Sequence, residues 1–284
     1  MRDNSPSSLK SVAEAISAER DYVFVAAAGA GAFKETYEVH DAEGKRLALK
    51  VFRSGMSAER TDREIDAMRR CAHPNIARVV AIDEFEREGE RYVFLIEEFL
   101  PGGSLAERVQ RDGPYTAADT RALAVALVDA LAHIASHNLV HRDFKPENIL
   151  LDARGAPMID DFGIVRDLTK ESLTQSWALR GPGTPFYAAP EQLNNEKELI
   201  DWRTDQFSLG VVLSVITFGV HPYQRDGMTM DQTVEAVAGR AGLADSFVQA
   251  ASSAGFFALP KMLAAWPVGR FRTPELLAAA WATE

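Results

Sequence analysis

Three side chains stand out by type and spacing: Asp143, Lys145 two residues on, and Asn148 five residues on. They lie in the string His141-Arg142-Asp143-Phe144-Lys145-Pro146-Glu147-Asn148-Ile149-Leu150-Leu151. A carboxylate takes a proton, a lysine neutralises an anion, and an amide oxygen binds a hard cation. Together they would surround one reacting phosphoryl group. The string follows an apolar, helix-like run and ends in residues that read as a short strand. Such polar, proline-containing loops on rigid scaffolds commonly carry chemistry.

The flanking patterns supply the scaffold. After Ser-Pro-Ser-Ser, the stretch Ser5 to Ala18 turns helix-like, with Leu9, Val12, Ala13 and Ile16 on one face. Tyr22 to Ala28 reads as a strand, Gly29 to Lys34 as a turn and Glu35 to His40 as a returning strand. Asp41 to Gly44 makes the next turn and Leu47 to Phe52 a third strand. Ser57 to Cys71 is a charged helix-forming run, with Ile65 and Met68 as candidate buried positions and Arg60, Arg63, Arg69 and Arg70 on a solvated face. Val79 to Phe85 and Tyr92 to Ile96 are two further strands joined by the charged turn Glu86 to Glu90. Thr116 to Ser136 is a long apolar-patterned helix leading to the loop, and the chain after Glu191 reads as helical, with a buried helix opening at Asp205-Gln206-Phe207.

Composition narrows the function classes. Lys plus Arg number 31 against 41 Asp plus Glu, a net charge of −10, which disfavours a nucleic-acid partner because phosphate-backbone binding needs clustered positive charge. With Cys71 as the single cysteine, no intramolecular disulfide or cysteine-rich zinc site can form, which fits a reducing cytosol. Met1 to Lys10 has no apolar core of the signal-peptide kind, and the longest apolar run, Leu209 to Val220, is too short to span a bilayer. A soluble, cytoplasmic protein with no membrane partner is the expectation. His133 and His137 have a spacing that can bind zinc, but no glutamate separates them as in metalloproteases, and they read as helix-end histidines.

The ordered string at His141 resembles the catalytic loop of protein kinases, with Phe144 in place of a leucine. Other motifs follow in the family's order: Gly29-Ala30-Gly31-Ala32-Phe33 between strands, Leu47-Ala48-Leu49-Lys50, Asp161-Phe162-Gly163, and Ala189-Pro190-Glu191. The resemblance runs from about Tyr22 to the C-terminus and implies an α+β, two-lobed protein kinase fold. The small N-lobe would be an antiparallel sheet with one main helix, and the large C-lobe mainly helical. The implied division is a leading helix at 1–20 and a kinase domain at 21–284, with N-lobe 21–97, hinge 98–103 and C-lobe 104–284.

The resemblance also assigns roles. Asp143 would be the catalytic base, Lys145 would steady the transferring phosphoryl group, and Lys50 would meet the α- and β-phosphates of ATP, oriented by Glu64. Asn148 and Asp161 would hold Mg2+. Nucleotide contacts would come from Gly29, Ala30, Gly31, Ala32, Phe33, Thr36, Ala48, Leu150 and the main chain of Glu98 and Leu100. Lys145 after Asp143, with Gly183-Thr184-x-x-Tyr187, resembles the serine/threonine branch, so the implied partner is a protein substrate, including the chain's own activation segment. Thr169, Ser172, Thr174 and Ser176 are the hydroxyls there, and Arg142 would receive a phosphate from it. Arg270 would pair structurally with Glu191.

Beside Phe144, and Ala28 where a larger aliphatic residue is usual, three positions depart from the family pattern: Lys34 for the third glycine, Thr36 for the valine over the adenine, and Glu97 at the back-pocket position where an apolar residue is usual. A buried Glu97 would need a partner or a proton. These departures keep open the alternative of a pseudokinase, the same fold serving as a nucleotide-binding scaffold.

Overall fold

The computed structural model describes residues 8–31, 34–53, 71–161 and 184–284, which fall into two compact units. The first holds residues 8–31, 34–53 and 77–100, and the second 71–76, 101–161 and 184–284.

In the first unit a helix, α1 (Lys10–Glu19), precedes five strands: β1 (Val23–Ala30), β2 (Lys34–His40), β3 (Arg46–Phe52), β4 (Val79–Arg87) and β5 (Glu90–Glu98). The strands form one antiparallel sheet in the order β1-β2-β3-β5-β4. Alternation of side chains divides the sheet's labour. Tyr37, Val39, Leu47, Leu49, Val51, Phe94 and Ile96 share one core with Leu9, Val12, Ala13 and Ile16 of the helical segment. The intervening residues face the other way: Thr36 lies opposite Lys50, Lys50 opposite Leu95, and Ala48 opposite Glu97. Glu35 ties helix to sheet, accepting from the Leu9 N–H at 3.1 Å, the Tyr37 hydroxyl and Arg53 at 3.1 Å. Burial works to raise the Glu35 carboxyl, but these donors hold it below its ordinary range.

Two turns are tighter than their composition suggests. Gly29 and Ala30 belong to β1, paired with Thr36 and Glu35, and the Gly31 N–H donates to the Lys34 carbonyl at 2.8 Å. Register shifts in β1 between Phe24 and Ala26 and between Ala27 and Gly29 take up the extra residues. The charged Glu86–Glu90 stretch is mostly strand. The chain reverses at Glu88 and Gly89 alone, both at positive φ (55° and 79°), as the twist of a two-residue hairpin demands.

The second unit contains α2 (Leu105–Asp112), α3 (Ala117–Ser136), the hairpin β6 (Ile149–Leu151) and β7 (Pro157–Ile159), and then α4 (Pro190–Leu193) and α5 (Trp202–Phe218). It continues with α6 (Met230–Ala238), α7 (Asp245–Ser253), α8 (Ala258–Met262) and α9 (Pro274–Trp281). Side-chain caps start α2, α3, α5, α6 and α9: Ser104 with a reciprocal Glu107, Thr116, Asp201, Thr229 and Thr273. Gly219, at φ 70°, ends α5. The apolar stripe of α3, from Leu123 to Ile134, packs on α5 and α9. Gly102 donates to the Leu151 carbonyl at 2.9 Å, and a Cβ there would lie 2.6 Å from that same oxygen. Only glycine allows this approach. Among the described residues no helix is long and apolar enough to cross a membrane.

His221 is buried in this unit, packed at a tilt against Phe186 with ring centroids 4.6 Å apart, and its Nδ1 accepts from the Tyr223 N–H at 3.1 Å. Burial lowers its pKa from 6.5 to about 4, so the folded protein keeps the ring neutral where the unfolded chain already binds a proton. Its contribution is complete above 6.5 and is lost as pH falls towards 4. The loss is about 3 kcal/mol. Denaturant unfolding across this interval should show falling stability with acidification, and His221→Gln should flatten that slope.

Candidate active site

Lys50 sits mid-strand in β3, opposite Leu95, on the face turned away from the α1 core. It forms an ion pair with Glu97, two residues along β5, and both side chains are almost fully buried. The acid expected to need a partner therefore has one. A buried lysine and a buried carboxylate each tolerate loss of water through the other. Glu98 closes β5: its N–H donates to the Arg78 carbonyl at 3.0 Å, and its carboxylate accepts from the Arg78 N–H at 2.8 Å. Thr36 and Ala48 lie on the same sheet face as Lys50, and Gly29, Ala30 and Gly31 occupy the end of β1 and the turn beyond it. Ala32, Phe33 and Glu64 lie outside the described residues.

In the second unit the loop after α3 is held from below. His141 is fully buried; its N–H donates to Asp205 Oδ2 at 2.6 Å and the Arg142 N–H to Asp205 Oδ1 at 2.7 Å. The His141 ring is fixed at both nitrogens. Nδ1 accepts from the Asp143 N–H at 3.2 Å, so Nε2 carries the proton and donates to the Asp160 carbonyl at 2.7 Å. Arg142 takes φ 64°, a left-handed conformation unusual for arginine. The same residue's carbonyl accepts from Gln192 Nε2 at 3.0 Å, so both of its peptide groups are tied. Burial pushes the Asp205 carboxyl above its ordinary range, against the His141 and Arg142 donors that favour the ion.

These constraints deliver Asp143 half-buried. Its Oδ2 accepts from Asn148 Nδ2 at 2.8 Å and lies 3.3 Å from Lys145 Nζ. Asn148 Nδ2 also donates to the Asp143 carbonyl at 2.9 Å. With its amide nitrogen so engaged, Asn148 offers its carbonyl oxygen to a hard cation. The Asn148 carbonyl accepts from the Asp160 N–H at 2.9 Å, which aligns the end of β7 with the loop. Asp161 follows at φ 59°, and Asp160 is buried. Leu150 lies in β6 and Leu100 ends the first unit. The donor set of Asn148 and Asp161, one amide and one carboxylate, suits Mg2+.

Arg270 and Glu191 form the expected pair, fully buried and two-pronged at 2.6 and 2.9 Å. Phe162, Gly163, Thr169, Ser172, Thr174 and Ser176 lie outside the described residues. Sequence reading missed Asp205 and Gln192 as supports of the loop. The available signal was an acid within a stretch that reads as a buried helix, which is costly unless a buried donor needs it.

Comparison with known proteins gives a consistent result. The model of the protein kinase domain matches residues 22–282. CBL-interacting serine/threonine-protein kinase 26 of Arabidopsis thaliana is 31% identical over 89% of this chain and 56% of its own length. Myosin light chain kinase A of Dictyostelium discoideum is 32% identical over 73% of this chain and 70% of its own. The crystal structure of Rad53 1-466 in complex with AMP-PNP superposes with a TM-score of 0.69 at 26% identity, covering 93% of this chain and 66% of that one. The chain spans 22% of Dictyostelium MARK-C, a probable serine/threonine-protein kinase, so several relatives are much longer.

The buried Lys50–Glu97 pair makes a stability prediction. Glu97→Leu should destabilise the protein by about 3 kcal/mol, because it removes a partner from a buried charge. Lys50→Met combined with Glu97→Leu should recover most of that loss in chemical denaturation, the double-mutant cycle measuring the coupling.

Proposed function

The chain belongs to the protein kinase domain family, and we propose that it transfers the γ-phosphoryl group of ATP to a serine or threonine hydroxyl of a protein substrate. The observation that carries this reading is the Asp143 carboxylate, oriented by Asn148 and flanked by Lys145. The kinase names of the relatives and the AMP-PNP complex of Rad53 support it.

In this reading Asp143 positions the substrate hydroxyl and accepts its proton. The hydroxyl oxygen attacks the γ-phosphorus, the bond to the β–γ bridging oxygen breaks, and ADP leaves with that electron pair. Lys145 neutralises the transferring phosphoryl oxygens. Lys50 binds the α- and β-phosphates and is oriented by Glu97, with Glu64 as a further partner. The turn from Gly29 to Phe33 offers backbone N–H groups to phosphate. Thr36, Ala48 and Leu150 flank the base, which the main chain of Glu98 and Leu100 recognises. Asn148 and Asp161 hold Mg2+, which supplies positive charge against the phosphates. Phosphorylation among Thr169, Ser172, Thr174 and Ser176, received by Arg142, would regulate the enzyme. Retention of Lys50, Asp143, Asn148 and Asp161 favours transfer over the scaffold alternative.

Asp143→Ala should lower turnover by ~10^3-fold or more, since it removes the proton acceptor. Nucleotide-induced thermal stabilisation should remain. The check is intact mass and peptide phosphorylation after incubation with ATP and Mg2+, and unchanged turnover in the variant would refute the assignment.

A further inference from the structure

The C-terminal end of α3 gathers three imidazoles and the chain's single thiol. The His133 ring packs at a tilt against His137, with centroids 4.6 Å apart, and against His73 at 5.3 Å. The Cys71 sulfur and one ring nitrogen each of His133 and His137 all lie within 4.8 Å of one another. Ligand atoms around a tetrahedral Zn2+ stand about 3.3–3.8 Å apart, given Zn–N and Zn–S lengths of about 2.0–2.3 Å, so small side-chain adjustments close the set.

The hydrogen bonds assign which nitrogens are available. His137 Nδ1 lies 2.9 Å from the His133 carbonyl, to which it donates, leaving Nε2 with the lone pair. This backbone-carbonyl support is the arrangement that orients metal-binding histidines. His133 Nε2 is shielded from solvent and has no hydrogen-bond partner among the described residues. His73 is otherwise engaged: Nδ1 accepts from the Asn75 N–H at 3.1 Å and Nε2 faces Asp129 at 3.2 Å. It forms a wall of the site and supplies no ligand.

We propose that Cys71, His133 and His137 form a binding site for a borderline divalent cation of the Zn2+ class, separate from the Mg2+ ligands. One thiolate and two imidazoles select Zn2+ or Co2+ over Mg2+ and Ca2+, which take oxygen. The fourth position falls to water or an external ligand. On binding, the metal–sulfur bond replaces the S–H bond and the proton passes to solvent. Half-buried His137, beside exposed Ser136, gives the entry path. The bound ion would staple the 71–76 segment to the helix end that leads into the catalytic loop. The two histidines read from sequence as helix-end residues because their third partner lies far upstream, ahead of β4.

The test is titration of metal-stripped, folded protein with Co2+ and then Zn2+. One equivalent of Co2+ should give a thiolate-to-cobalt charge-transfer band and tetrahedral d–d bands, and Zn2+ should displace it. Cys71→Ser should abolish the charge-transfer band, and His137→Gln should weaken Zn2+ binding by at least ~10-fold, the lower end of losses seen even for supporting residues. His73→Gln should retain the band. Absence of the band in the wild type at saturating Co2+, or its persistence in Cys71→Ser, would overturn the site. Circular dichroism checks each variant's fold, and His137→Gln decides the matter if Cys71→Ser does not fold.

Discussion

Both oxygens of Asp205, buried in the first turn of α5, accept backbone N–H bonds from the consecutive residues His141 and Arg142. Two adjacent amides aimed at one carboxylate is a geometry extended chain does not offer, and Arg142 adopts a left-handed φ. Such a conformation costs about 1–3 kcal/mol and persists only where its surroundings over-determine it. Here the surroundings are the apolar packing of α5, the Gln192 bond to the Arg142 carbonyl and the buried His141 ring between Asp143 and Asp160. Asp143 is thus aimed by a chain of buried bonds that involves its own side chain only at the last step.

A second buried polar assembly fixes the region behind the loop. Arg270 reaches Glu191 with both terminal nitrogens and also donates to the carbonyls of Arg203 and Ala264, while Thr204 donates to Glu191 at 2.9 Å. A buried ion pair is tolerable when its remaining donors and acceptors are satisfied. This one joins α4, the start of α5 and the segment before α9. Gln192, one residue beyond Glu191, is therefore anchored where it can hold Arg142.

Local pattern carried much of this architecture. The alternation along Tyr37-Val39 and Leu47-Leu49-Val51 fixes which face of the sheet is core, and so places Lys50 on the other. Thr116 caps α3 where the sequence pattern starts it, whereas Asp201 caps α5 ahead of the Asp205 opening expected from the pattern. Turn lengths were less legible, since Gly29 and Ala30 have the composition of a turn yet remain in the ladder. Contacts distant in sequence were not legible at all. Nothing local to Glu97 says that it meets Lys50, and nothing local to Cys71 says that it lies beside two histidines at the C-terminal end of α3.

The division of the first sheet into a core face and a Lys50 face has a consequence for how this chain can change length. Side chains repeat every second residue, so a single-residue insertion or deletion within β3 would exchange Lys50 with an aliphatic neighbour and turn a cation towards α1. The strand behaves as a reading frame that only paired length changes preserve. Tolerance is confined to the reversals: residues 41–44 can grow or shrink without disturbing the frame, whereas the two-residue turn at Glu88 and Gly89 has no slack. Natural length variation in this sheet should therefore collect at the β2–β3 connection and be scarce inside β3.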